Sequence, residues 1–314
     1  MDGLGVVAIG RNEGNRLIRC LESLQTHLPH TVPIVYVDSG STDNSVAEAK
    51  QRHICVVNLD MSVPFTGARA RNAGFTRLMA THPHLQYVQF IDGDCELLAG
   101  WMEQAVDTLS SNPALAVVFG QLQERFPKAS AYNHLAQLEW TVPVGEAKTC
   151  GGIALIRAIA LKKVGGYNPK LICGEEPELC IRLRRQDWKI RCIATAMAIH
   201  DIDMYRFSQW WTRSTRNGGA IAQGADMYGN APERYRVKEH ISGWLWGAAL
   251  PAGALLTAGI SRGMTLLALM AIYLLQLFKI YRYRQRRGDH ASDAFIYALF
   301  CVISKVPQAI GQGK

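Results

Sequence analysis

The feature that most constrains this chain is the run Tyr87-Val88-Gln89-Phe90-Ile91, which leads straight into Asp92-Gly93-Asp94-Cys95-Glu96. A β-branched and aromatic run that stops at two carboxylates around a glycine reads as a buried parallel strand delivering acids to the C-terminal edge of a sheet. Open α/β sheets bind ligands at that edge. Two carboxylates one residue apart, with Gly93 allowing close backbone approach, suit a hard divalent cation that already carries phosphate oxygens. Alone, such a pair more often caps a helix or sits in a solvated turn.

The segments before it repeat the pattern. Val6-Val7-Ala8-Ile9 is a short strand that breaks at Gly10-Arg11-Asn12-Glu13-Gly14, and Leu17, Ile18, Cys20, Leu21 and Leu24 then recur at helical spacing. Ile34-Val35-Tyr36-Val37 ends on Asp38, followed by Ser39-Gly40-Ser41-Thr42-Asp43-Asn44-Ser45. A capped turn with Gly40 at its tight point explains most of that segment, and Asp38, at the strand end, is expected to stand outside the capping. Cys55 to Leu59 is a third strand, and Gly67 to Gly74 opens a helix that continues through Phe75 and Leu78. Arg71 near its start either meets a phosphate, which a helix N-terminus favours, or lies in solvent. Four strand-then-loop units predict a doubly wound α/β layer and argue against a β-sandwich.

At 314 residues the chain calls for one large domain plus an appendage. Its net charge of +8 asks for a polyanionic partner, and the arginines beside apolar runs near the C-terminus favour an anionic membrane face over nucleic acid. The eight cysteines include no C-x-x-C pair, which fits buried thiols in a reducing compartment. The first residues contain no basic segment and no apolar stretch of signal length, so the chemistry is placed in the cytoplasm.

Taken together, Arg11-Asn12-Glu13, Asp38-Ser39-Gly40-Ser41-Thr42-Asp43, Arg71-Asn72-Ala73-Gly74 and Asp92-Gly93-Asp94 resemble, in order and spacing, the nucleotide-sugar half of family-2 glycosyltransferases with the GT-A fold. The resemblance implies a Rossmann-like mixed α/β sheet flanked by helices. It places a GT-A domain at residues 1–227, with a nucleotide-sugar half (1–96) and an acceptor half (97–227), and a helical membrane-associated tail at 228–314. It also implies that Asp38 contacts the nucleobase, with Asn12, Glu13 and Gly40 around the nucleotide. Arg71 would help bind the diphosphate, Asp92 and Gly93 would lie near the ribose and sugar, and Asp94 would ligate Mg²⁺ or Mn²⁺. The first strand departs from the family, ending Ala8-Ile9-Gly10-Arg11 where many members have Ile-Pro and an aromatic, so a UDP- or a GDP-linked donor stays open.

Further along, Cys150-Gly151-Gly152-Ile153, Val164-Gly165-Gly166-Tyr167 and Gly174-Glu175-Glu176-Pro177-Glu178 are similar to the family's acceptor-side strand, its Gly-Gly-aromatic turn and its acidic helix start. The resemblance makes Glu176 the base that deprotonates an acceptor hydroxyl, with Glu175 next, although the family has Asp where Glu176 stands. As plain helix chemistry, the same acids complement a helix dipole and Pro177 is a first-turn proline. His200 closes a strand-like run and is either structural or, as in some GT-A enzymes, a further metal ligand. Arg213 and Arg216 resemble the basic residues that clamp the departing diphosphate.

From Ile241 the chain turns apolar. Ile241 to Ile260 and Gly263 to Phe278 are separated by Ser261-Arg262 and flanked by Arg234, Arg236 and Lys238 on one side and by Lys279, Arg282, Arg284, Arg286 and Arg287 on the other. This predicts a helical hairpin with both ends at the cytoplasmic face of the inner or plasma membrane, or else a helical pair buried in a dimer. Ala294 to Ile303 reads as too short to span, with Pro307 ending its helix. The expected reaction is metal-dependent, inverting transfer of a sugar from a nucleoside diphosphate to a hydroxyl on a lipid or envelope glycan. The rivals are a sugar nucleotidyltransferase and an inactive nucleotide-binding membrane scaffold.

Overall fold

The computed structural model describes residues 3–314. Its first part follows the strand-loop-helix pattern: β1 Leu4–Gly10, α1 Asn15–His27, β2 Ile34–Asp38, α2 Ser45–Gln51, β3 Cys55–Asn58, α3 Gly67–Thr81 and β4 Tyr87–Asp92. These four strands are parallel, and their register sets Gly10 beside Asp38 and Ile9 beside Asp92. The three loops that follow β1, β2 and β4 therefore open at one sheet edge. Helix α3 lies close on the sheet because Gly74 has no side chain; a Cβ there would press on Val7 and come within 3.0 Å of Val37.

Beyond β4 the sheet becomes mixed. β5 Cys95–Leu97, α4 Trp101–Ser110, β6 Leu115–Glu124, α5 Ala131–Trp140, β7 Gly145–Ala147, β8 Ala154–Arg157, α6 Ala158–Lys163, α7 Glu175–Arg184 and β9 Lys189–His200 follow in turn. The strand order is β3-β2-β1-β4-β8-β6-β9-β5, with β7 paired to β9. β8 runs antiparallel to β4 and β6, while β6 and β9 pair in parallel beyond it, so the sheet is a Rossmann-like mixed one. The core holds the side chains of Leu17, Tyr36, Phe90 and Trp101, all fully buried. Gln89 is buried among them and accepts a hydrogen bond from the Trp101 indole N–H at 3.0 Å, which satisfies both polar groups.

The chain forms two compact units, one running through Phe126 plus Glu139–Ile202 and the other made of Pro127–Leu138 plus Asp203–Lys314. The division at 202/203 falls earlier than the boundary expected near 227. The second unit contains α8 Phe207–Tyr228, α9 Val237–Trp244, a π-helical turn Leu245–Ala249, α10 Leu250–Thr257, α11 Met264–Arg286, α12 Ala291–Ile303 and α13 Lys305–Gln312. Helix α8 belongs to it because its Gly218 packs on the Gln308 backbone while Gly311 packs on Thr215. The buried Asn133 side chain accepts from Ser130 at 3.0 Å and from the Met204 amide at 3.2 Å, which explains why the short Pro127–Leu138 segment joins this unit.

Two helices are long and apolar enough to cross a membrane, Met264–Arg286 and Ala291–Gln312. The second corrects the reading of 294–303 as too short. Pro307 falls in the first turn of α13, where no intrahelical N–H is needed, so it does not end the apolar segment. In the hairpin, the π-helical turn interrupts the regular backbone ladder, and the Tyr273 hydroxyl donates to the Trp246 carbonyl there.

Candidate functional site

The Asp92-Gly93-Asp94 turn is held to the first strand by the Gly93 amide, which donates to the Ile9 carbonyl at 2.7 Å. Immediately after it, β5 pairs antiparallel with β9 so that Cys95 stands opposite His200. That pairing sets His200 Nε2 2.9 Å from Asp94 Oδ2, and Cys95 Sγ lies 3.3 Å from Asp94 Oδ1. The three ligand-type atoms lie within 4.8 Å of one another. Burial works against the charge on Asp94, but His200 beside it holds its carboxyl below the usual range; burial likewise disfavours the imidazolium, and Asp94 outweighs it, raising His200. The Trp140 ring packs on His200 with centroids 4.4 Å apart.

On the other side of Asp92 the organising group is Arg71, which is buried rather than solvated. Its guanidinium lies 2.8 Å from Asp92 Oδ1, 2.8 Å from Glu175 Oε1 and 3.2 Å from Glu176 Oε1. The arginine expected at a diphosphate is thus committed to three carboxylates drawn from a strand end and a helix start. Glu175 and Glu176 are the first two residues of α7, which begins at Gly174 in the left-handed region (φ 84°), with Pro177 in the first turn. Burial, repulsion from Glu175 and repulsion from Asp92 outweigh the attraction of Arg71 and push the Glu176 carboxyl up to about 7. Gly152 leaves room for this cluster: a Cβ there would sit 2.5 Å from Arg71 Nη2, 2.8 Å from Asp92 Oδ2 and 3.2 Å from Glu176 Oε1. The Gly-Gly-aromatic turn is tied to the same helix α3, since Asn72 donates to the Tyr167 carbonyl at 2.7 Å and accepts from its amide at 2.8 Å.

The first two loops are stitched to each other. Asn12 Oδ1 accepts from the Thr42 amide at 2.7 Å, the Asn12 amide donates to Ser41 Oγ at 2.9 Å, and Asp43 accepts from the Gly14 amide at 3.0 Å. Asp38 is buried, and its carboxylate accepts from the Gly40 and Ser41 amides and from the Tyr36 hydroxyl. This overturns the expectation that Asp38 stands outside the capping: the strand-end acid is the acceptor that closes the Gly40 turn. Glu13 pairs with Arg16 at 2.7 Å, yet burial, with Asp94 and Asp92 nearby, raises it to about 7.

Asp92, Cys95, Glu139, Trp140, Gly152 and His200 are among the residues lining a cavity of about 350 Å³ at this edge. The structure therefore brings Glu13, Asp92, Asp94, Glu175, Glu176, Arg71 and His200 to one region, with Asp38, Gly40 and Asn12 on the adjoining loops. Arg213 and Arg216 lie on α8 of the second unit. Sequence reasoning missed Trp140, which follows from no motif, and gave Cys95 no chemical role although it directly follows Asp94. Burial first, and neighbouring carboxylates after it, raise Glu13 and Glu176, and the Asp94, Cys95 and His200 donor set fits a divalent metal.

Residues 6–159 match the model of the family described as glycosyl transferase family 2. The glycosyltransferase AglE of Haloferax volcanii is 24% identical over 173 residues, 52% of this chain and 55% of that protein. The pre-mycofactocin glycosyltransferase of Mycobacterium tuberculosis is 24% identical over 229 residues, 69% of this chain and 46% of its own length. The chain thus spans about half the length of the curated relatives it matches. Among solved structures, the mannosyltransferase PcManGT of Pyrobaculum calidifontis, in complex with GDP-Man and Mn²⁺, superposes with a TM-score of 0.59 at 19% identity, covering 95% of this chain and 86% of that one. GalNAc-T7 with UDP, GalNAc and Mn²⁺ gives 0.56 at 15% identity, covering 77% and 50%.

Proposed function

We propose, from the premise that this chain belongs to the family-2 glycosyltransferases and has the GT-A fold, that it transfers a sugar from a nucleoside-diphosphate donor to an acceptor hydroxyl with inversion at the anomeric carbon. The observation that carries this reading is the single acidic edge, where Glu176 and Asp92 share Arg71 while Asp94 contacts His200. Glu176 is the base. With an affinity for protons near neutrality, it can take the proton of the acceptor hydroxyl as that oxygen attacks, provided the hydroxyl lies within hydrogen-bond reach. Arg71 holds Glu176 and Asp92 in place, and Glu175 braces Arg71 from behind.

Asp94 and His200 would hold Mg²⁺ or Mn²⁺, which when bound offsets the charge of the leaving diphosphate. Asp38, Gly40, Asn12 and Glu13 shape the loops on the nucleotide side, and Asp92 and Gly93 adjoin the ribose and sugar. The UDP- or GDP-linked character of the donor is left to measurement. The apolar helices of the second unit support a membrane location with the catalytic unit on the cytoplasmic face, and with it a lipid-linked or envelope-glycan acceptor.

The test is a panel of UDP- and GDP-sugars incubated with Mn²⁺, detergent-solubilised protein and lipid extract. Release of nucleoside diphosphate coupled to a glycosylated product is the expected result, abolished by chelation and by Glu176→Gln or Asp94→Asn. Release of pyrophosphate would instead identify a nucleotidyltransferase, and no turnover with any donor would identify an inactive scaffold.

A further inference from the structure

A buried thiol usually behaves as a small apolar side chain. Cys95 differs in where its sulfur lies. It is paired across β5 and β9 directly with His200, and residues directly opposite in an antiparallel pair project to the same face of the sheet. Both residues line the cavity of about 350 Å³ that also receives Asp92. The sulfur is 3.3 Å from Asp94 Oδ1, and His200 Nε2 is 2.9 Å from Asp94 Oδ2. Ligand atoms that share one cation at bond lengths of about 2.0–2.3 Å lie roughly 2.8–3.5 Å apart at neighbouring vertices. The two contacts, hydrogen bonds to the two oxygens of Asp94, fall inside that range, and the three ligand atoms all lie within 4.8 Å of one another.

We propose that Cys95 is a third protein ligand of the metal site, and that its sulfur turns the site's preference away from Mg²⁺ and toward divalent cations that accept sulfur. The inference rests on the metal-dependent reading above and deepens it. Carboxylate and water ligands suit Mg²⁺, whereas a donor set of one carboxylate, one imidazole and one thiolate belongs with Zn²⁺ or Co²⁺, and Mg²⁺ gains nothing from sulfur. On binding, the Sγ–H bond would break, its proton passing to solvent and the sulfur lone pair bonding the cation, so the thiol gives up one proton per cation in addition to any that His200 carries.

Titration of the detergent-solubilised chain with Co²⁺ tests this directly, because a thiolate bound to Co²⁺ has a charge-transfer absorption in the near ultraviolet that oxygen and nitrogen ligands lack. The band is expected in the unaltered chain, lost in Cys95→Ser and lost in Asp94→Asn. It should persist in Cys150→Ala, which removes one member of the close thiol pair Cys150 and Cys180, whose sulfurs lie 3.6 Å apart. Excess Mg²⁺ should fail to displace Co²⁺ from the unaltered chain and should displace it from Cys95→Ser. If Cys95→Ser does not fold, Cys95→Ala replaces it: loss of the Co²⁺ band supports the proposal, and a band that survives overturns it. Bound Co²⁺ without the band, or a band that survives Cys95→Ser, sinks the sulfur ligand and leaves the glycosyltransferase reading intact. Failure to bind any divalent cation, Mn²⁺ included, with or without a nucleoside diphosphate, removes both the ligand assignment and the metal dependence proposed above.

Discussion

Glu176 is the second residue of a helix, partly shielded from water and next to two other acids, and these facts pull in one direction. Its carboxyl ordinarily ionises near 4.5 and here near 7, so the unfolded chain loses this proton first as pH rises. Stability on its account is undiminished below about pH 4.5, falls between about 4.5 and 7, and stays reduced above, by on the order of 3 kcal/mol. Glu176→Gln should therefore raise the melting midpoint at pH 8, with the gain vanishing near pH 4.5, while transfer falls by roughly 10²–10⁴-fold. A melting curve that does not respond to pH in this way would show that the shift is misassigned. In the unaltered enzyme, turnover should rise with pH through about 7 as Glu176 becomes a competent base. Asp38 satisfies two amides and a hydroxyl, so Asp38→Ala should destabilise by roughly 1–3 kcal/mol in urea unfolding, apart from any effect on donor binding.

At the scale of elements, one arginine joins three of them. Arg71 rises from α3, Asp92 ends β4, and Glu175 and Glu176 begin α7, so removing the guanidinium leaves two poorly solvated carboxylates facing each other and the part-exposed Asp92. Arg71→Met should cost about 3–5 kcal/mol by thermal or urea unfolding, far more than a surface ion pair contributes. Equal stability of the variant would mean the three acids separate freely, and with them the single edge. The turn after α6 is constrained as tightly. Gly166 has φ 76°, and a Cβ there would meet Asn72 Oδ1 at 2.6 Å, so Gly166→Ala should loosen the hold of α3 on Tyr167 and lower the melting midpoint by several degrees. The positions of β1 to β4 and their helices were legible because each apolar run ends at a loop of Gly, Ser, Asp or Asn. The mixed order beyond β4 was not: β8 inserts between β4 and β6 through pairings distant in sequence, which no local pattern encodes.

For the molecule as a whole, the C-terminal helices bear on a membrane location. Helix α11 is 23 residues long with none of its apolar window buried, and Leu256 and Ile260 in the hairpin are 83% and 91% exposed. At about 1.5 Å per residue such a helix is roughly 35 Å long, enough for a hydrocarbon core of about 30 Å. The full chain is expected to stay with membranes through high salt and alkaline carbonate washing and to leave only with detergent. Release by salt alone would restrict it to a surface electrostatic contact. Replacing Leu256, Ile260 and Leu267 with Glu should shift it to the supernatant.

The acids at strand ends, the glycines beside them and the apolar C-terminal runs were readable in order because each follows from its immediate neighbours: residue type sets where a strand stops and where a turn begins. Which acids face one another, that Arg71 is buried among them rather than open to a phosphate, that Asp38 closes its own turn, and that Cys95 and Trp140 stand at His200 were decided by the folded chain alone. Those relations depend on contacts between residues as far apart as Arg71 and Glu175, or Asp94 and His200, and on burial, which sets the strength of every charge interaction and is a property of the surroundings rather than of the residue.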